Sequence, residues 1–153
     1  MVCADAPCLH DDLAALGEIK GFDLIAVNRA ALKVAHPINY LVTLHWYTHE
    51  IEQWREQRKG KGWNDDYLLV GHEGRAPVGV AFPFRAPSGS SSLFACLFAL
   101  SIGYERVVLA GGPLDHPGYH DYREGWRAAR RDVRGRVISL SGWTREFCKG
   151  ATC

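Results

Sequence analysis

Almost no net charge is left over in this chain: 18 Lys and Arg stand against 17 Asp and Glu among 153 residues. That balance argues against a general nucleic-acid binder, which needs a basic surface, and against a polybasic membrane protein. No two of the cysteines (Cys3, Cys8, Cys96, Cys148 and Cys153) stand at Cys-x-x-Cys spacing. An odd count without close pairs speaks against a zinc site and against a secreted disulfide scaffold, so reduced thiols in a cytoplasmic protein are expected. No basic and apolar leader opens the chain. Its longest apolar run, near Leu93 to Ile102, is about half the ~20 residues that cross a bilayer. Neither a signal peptide nor a membrane anchor is therefore expected. Internal repeats and low-complexity tracts are also missing. What remains is a length suited to one domain, over residues 1–153, that buries a core without staples.

Short apolar runs alternate with helical patterns along that length. Phe22–Val27, Ile38–Leu44, Tyr67–Val70, Arg106–Ala110 and Arg136–Leu140 read as strands. They are apolar on consecutive rather than alternate residues, which marks strands covered on both faces and hence a largely parallel sheet. Helices are predicted over Asp11–Leu16, Tyr47–Arg58, Ser91–Gly103 and Tyr122–Arg131. The third is apolar nearly all round and is expected at the centre, with Gly103 as its stop. Gly71–Pro87, rich in Gly, Pro and Arg, is predicted as a surface loop with Val78–Phe82 as a short additional strand. Lys59–Gly62 reads as a mobile basic turn. The pattern implies a Rossmann-like open α/β sheet of five to six mostly parallel strands with helices on both faces.

In such sheets ligands bind outside the carboxyl ends of the strands. The predicted strands run out into Asn28-Arg29, His45, His72-Glu73 and Gly111-Gly112-Pro113-Leu114-Asp115-His116. Polar side chains thus gather at one edge. The sharpest feature is Ser88-Gly89-Ser90-Ser91-Ser92, just before the apolar helix. A helix start exposes about four unpaired N–H groups and the positive end of its dipole, and small hydroxyl residues let an anion approach it. A phosphate or carboxylate would sit well there; an ordinary serine cap is the plain alternative. No Gly-Lys-Ser/Thr follows, which excludes a P-loop. The second feature is Asp115-His116-Pro117-Gly118-Tyr119-His120-Asp121-Tyr122-Arg123. Its tyrosines can hold phosphate oxygens and its His116 or His120 can serve as a base. The plain alternatives are that Asp121 caps the next helix and that Tyr119 packs under the loop. His45 and His49 have the i, i+4 spacing of a metal pair, but a strand-to-helix transition is expected between them, so His45 is assigned to the pocket and no metal is expected. Arg127, Arg130, Arg131 and Arg134 read as a solvated helix face, whereas Arg123 lies close enough to the loop to assist an anion.

Ser90 to Gly111 resembles the core segment of the bacterial CMP-sialic-acid sialyltransferases. It is similarly close to the related domain of motility accessory proteins and archaeal 6-hydroxymethylpterin pyrophosphokinases. Phe22-Asp23 with Asn28 resembles their second-strand pattern. The whole chain also looks like small bacteriophage proteins that share Ala-Val-Asn, Thr-Leu-His and Ser-Gly-Trp-Thr-Arg-Glu, here Ser141 to Glu146. The resemblance implies that Asn28, Ser90 and Ser91 contact a nucleotide and that Tyr119 and Tyr122 face its phosphate. Where the relatives have a first-strand Gly-x-Gly-Pro-Ser loop, this chain has Ala4-Asp5-Ala6-Pro7-Cys8; His116 and His120 are candidates by chemistry alone. The expectation is a small protein that binds a nucleotide or nucleotide-sugar ligand, without other cofactor, and acts as a transferase on a nucleotide-activated donor. The alternative is a non-catalytic phage protein that sequesters a host signalling nucleotide in the bacterial cytoplasm. No nucleic-acid or membrane partner is expected, and Trp46, Trp54 and Trp63 leave room for a homodimer surface.

Overall fold

The computed structural model describes residues 1–17, 20–44, 48–72, 79–83 and 88–149. Seven strands form one sheet: β1 (Val2–Cys3), β2 (Ile25–Val27), β3 (Tyr40–Thr43), β4 (Leu68–His72), β5 (Val80–Phe82), β6 (Val107–Ala110) and β7 (Val137–Ser139). Their order is β5-β4-β3-β2-β1-β6-β7, and every neighbouring pair is parallel. The fold is Rossmann-like, with more strands than the five to six expected. The addition is β1, whose two residues are too few to show any periodicity. The short additional strand expected within Val78–Phe82 is present as β5, whose three residues pair with Val70, Gly71 and His72 on the free side of β4.

Strand residues divide alternately between two cores. Val2, Ile25, Val27, Val42 and Val70 face one; Cys3, Ala26, Leu41 and Leu69 face the other. Burial on both faces is why the runs are apolar without alternation. The first core is filled by α3 (Ser91–Ser101), by Trp126 of α4 (His120–Ala128), and by Val133 of the short α5 (Arg130–Val133). Phe147 of α6 (Gly142–Lys149) packs against it. The second holds Leu9 of α1 (Leu9–Leu16), Ala30 and Ala31 of a 3-10 segment (Asn28–Leu32), and Ile51 and Trp54 of α2 (Thr48–Gly60). The chain steps from β1 to β5 in one direction with its helices on one face. It returns through α3 and continues to β7 with helices on the other, as a constant crossover hand requires.

Several expectations shift. The helix predicted over Tyr122–Arg131 is broken at Ala129 into α4 and α5, and α6 has no counterpart in the prediction. Arg127, Arg130, Arg131 and Arg134 are all exposed, as a solvated face requires. Trp54 is a core residue, so it is not available to a dimer surface; Trp46 lies outside the described residues. Lys59–Gly62 is not a loose turn: Lys61 Nζ donates to the Leu32 carbonyl at 2.9 Å and sits 4.4 Å from the Trp63 ring centre. Cys3, Cys8, Cys96 and Cys148 are free thiols, and burial pushes Cys3 and Cys148 up to about 11. No described helix is long and apolar enough to cross a membrane.

Candidate functional site

Strand order reverses at β1: the chain leaves it toward β2 and later reaches β6 on its other side. At such a switch point the loops diverge above and below the sheet and open a crevice at the carboxyl edge. A cavity of about 570 Å³ lies there, within the range of small-molecule sites. Asp5, Ala6 and Pro7 line it after β1, Asn28 after β2, Gly89 to Ser92 at the start of α3, and Gly111 to His116 after β6, with Tyr119 and Tyr122 alongside.

Backbone strain is concentrated in this crevice. Among the described residues two non-glycines have left-handed backbone, Asn28 (φ 51°) and Leu114 (φ 54°), and both line the cavity. Asparagine tolerates that region; a buried leucine does not do so without cost, on the order of 1–3 kcal/mol. Gly111 (φ 67°) has no alternative, because a Cβ there would lie 2.3 Å from the Ala4 carbonyl oxygen. That close approach lets the β1 and β6 loops meet at the cavity floor.

The serines have different tasks. Ser90 caps α3 by accepting from the Leu93 N–H at 3.3 Å, accepts from Trp126 Nε1 at 3.2 Å and lies 3.2 Å from Ser92 Oγ. Its hydroxyl is therefore spent on the fold, as is that of Ser92. Ser91 is 8% exposed, lines the cavity, and its hydroxyl has no hydrogen-bond partner among the described residues. Asn28 Oδ1 is likewise buried without a partner. A buried unpaired amide oxygen and a hydroxyl without a partner among the described residues, on two residues that line one crevice beside a helix start, are groups a polar ligand can engage. Ser88 does not line the cavity: its side chain packs where a Cβ on Gly125 would stand, 2.0 Å from that position. Gly89 is at the lining and keeps Tyr122 within ordinary contact distance.

The loop after β6 is held by its own polar residues. Asp115 Oδ1 accepts from the Trp143 N–H at 2.7 Å and so fastens the loop to the first turn of α6. Arg123 donates from Nε to the Leu114 carbonyl and from Nη2 to the Asp115 carbonyl, both at 2.8 Å. Its guanidinium carbon lies 5.5 Å from the Trp143 ring centre, and it is not among the described lining residues. It therefore positions the loop. His116 lines the cavity, and its Nδ1 accepts from the Gly118 N–H at 3.0 Å. A neutral imidazole bonded this way carries its proton on Nε2, so the free nitrogen is a donor rather than the expected base. His120 is not among the described lining residues; its side chain is 73% exposed beside Asp121 and Glu124. His45 lies outside the described residues.

A layer behind the lining escaped sequence reasoning. Asp12 of α1 is buried and accepts from the Gly111 N–H at 2.7 Å and from the Ser141 hydroxyl at 2.8 Å. Ser141 lies 3.4 Å from Cys8 Sγ, a thiol whose pKa is raised, chiefly by burial. Thr144 donates from Oγ1 to the Gly112 carbonyl at 2.7 Å and from its N–H to the Pro113 carbonyl at 3.2 Å. The Ser141–Glu146 motif is thus the segment that fastens the loop, and the motif itself was the available signal. Asp12→Ala leaves the Gly111 N–H and the Ser141 hydroxyl unpaired. It is expected to cost about 2–3 kcal/mol, read as a lower urea midpoint.

Fold and crevice together define a Rossmann-like domain with a cavity at its topological switch point. No family model, curated protein or solved structure matches the chain.

Proposed function

We propose that the cavity binds a nucleotide or nucleotide-derived ligand through its phosphate, and that the protein acts as a small transferase on a nucleotide-activated donor. The observation that carries this reading is Ser91: a largely buried residue at the start of the helix that packs on the sheet, lining the cavity with a hydroxyl that makes no hydrogen bond among the described residues. The N–H groups of that first turn and the helix dipole favour a phosphate beside it. In the transfer, the bond between the donated group and its phosphate oxygen breaks and the electron pair stays on the phosphate. The acceptor's oxygen or nitrogen forms the new bond and loses its proton to solvent. Helix N–H groups, Ser91 and the Nε2–H of His116 would stabilise the charge growing on the leaving phosphate.

A second reading, sequestration of a nucleotide without turnover, has its own support. The two carboxylates at the cavity are engaged, Asp5 with Lys33 and Asp115 with the Trp143 N–H, and His116 offers a donor. A binder needs no base. A phage protein that withholds a host signalling nucleotide would be built this way.

Mass spectrometry of small molecules released by heating the purified protein separates the readings. Unchanged nucleotide recovered in stoichiometric amount supports sequestration and removes the transferase. Catalytic release of nucleotide from an activated donor, lost in His116→Ala, supports the transferase. Ser91→Ala is expected to weaken phosphate-ligand binding about tenfold, the loss of one hydrogen bond to a charged group. Titration calorimetry checks this, and undiminished affinity would exclude Ser91 as a ligand contact.

A further inference from the structure

We infer that the stacked pair Tyr119 and Tyr122 is the platform for a flat aromatic ring of the ligand, a nucleobase, and not a pair of hydroxyls on its phosphate. The inference rests on the reading of the cavity as a nucleotide site. The two rings are nearly parallel, 16° apart, with centres 5.6 Å from each other, the offset arrangement that aromatic quadrupoles favour. His116 meets Tyr119 edge-on, at 68° and 5.8 Å. All three residues line the cavity, so three aromatic rings border the space above the helix start.

Their placement separates the ends of the ligand. Tyr122 lies against Gly89, 3.7 Å from where a Cβ there would be, and thus beside the phosphate end at α3. Tyr119 is stacked on Tyr122 and is not within contact of Gly89, so it stands one ring further from that end. It is 41% exposed, although it is large, aromatic and carried on the short helical turn Pro117–Tyr119. An exposed ring backed by a second ring and steadied by a third is pre-organised to accept another flat surface. Stacking of this kind tolerates any base, because every base has a π face.

The two roles for Tyr119 predict different behaviour when the hydroxyl and the ring are removed separately. The full chain is titrated by calorimetry with the four common nucleoside 5′-monophosphates and with ribose 5-phosphate, which keeps the phosphate and sugar but lacks the base. Tyr119→Phe is expected to bind the nucleotides within about twofold of the parent, and Tyr119→Ala about tenfold or more weaker. Ribose 5-phosphate should bind the parent and both variants alike. Because Tyr119 is exposed, both variants should keep the parent's melting temperature, which is measured alongside. A loss in Tyr119→Phe as large as in Tyr119→Ala, shared by ribose 5-phosphate, would assign the hydroxyl to the phosphate and overturn the platform. So would unchanged nucleotide affinity in Tyr119→Ala. Binding of ribose 5-phosphate with no gain from any base overturns the platform while sparing the phosphate site. A parent that binds none of the five compounds overturns the nucleotide reading and the platform together.

Discussion

Gly111→Ala is expected to destabilise the protein by roughly 3–5 kcal/mol, and Gly135→Ala by only about 1 kcal/mol. The two glycines have nearly the same backbone conformation, φ 67° and φ 69°. They differ in what surrounds them. A Cβ on Gly135 meets nothing within 4 Å, whereas one on Gly111 meets the Ala4 carbonyl oxygen at 2.3 Å and Leu9 Cβ at 2.9 Å. Neither neighbour is the far end of a flexible side chain. One is the backbone directly after β1 and the other is the first buried residue of α1, so relief requires the β1 and β6 loops to part. Thermal denaturation should show a fall in melting temperature on the order of 10 °C for Gly111→Ala. Ligand binding should be lost with it, since the same contact forms the cavity floor. Equal effects at the two positions would mean that strain in φ, and not the packing of the loops, fixes Gly111.

Arg58→Ala is expected to cost a similar 3–5 kcal/mol, but to spare the cavity once the protein is folded. Arg58 is fully buried near the end of α2. Its Nη1 donates to the carbonyls of Ala31 and Val34, its Nε to the Asn64 carbonyl at 2.7 Å, and its Nη2 to Asn64 Oδ1 at 2.8 Å. Its guanidinium also lies over the Trp63 ring, with 5.3 Å to the centre. Removing it strands several carbonyls that have left water. Arg58→Lys should recover little, because an ammonium cannot span a planar array of acceptors. Urea denaturation gives the loss, and calorimetry below the transition should give the parent's ligand affinity. Loss of binding in folded Arg58→Ala would show that the two halves of the sheet are coupled through α2.

Arg58 also illustrates what a sequence withholds. At the end of a polar helix it has the pattern of a solvated cation, and only the tertiary fold shows carbonyls converging on it. β2, β3, β4, β6 and β7 were legible because burial on both faces leaves consecutive apolar residues. β1 was not, being two residues long. α6 was missed because it is eight residues long and has a single fully buried position, Thr144. The cavity was legible as a set: strand ends, the serine-rich helix start and the tyrosine loop do converge. The individual tasks were not. Ser88 turns under Gly125 because that glycine leaves room, and Asp115 and Arg123 are committed to the loop. Such assignments depend on contacts between segments far apart in the chain.

The shortness of β1 has a kinetic consequence. Val2 and Cys3 register with Leu109 and Ala110 on one side and with Ile25 and Ala26 on the other. The strand that joins the two halves of the sheet therefore has near partners in β2, but its pairing with β6 must wait for residues most of the chain away. Closing so long a loop for two residue pairs gives little return until α3 packs across the junction, so that step should be late and slow. The half built from β1 to β4 rests on nearer contacts and should organise first. The crevice then forms only at the end of folding, and a ligand can recognise nothing but the finished protein.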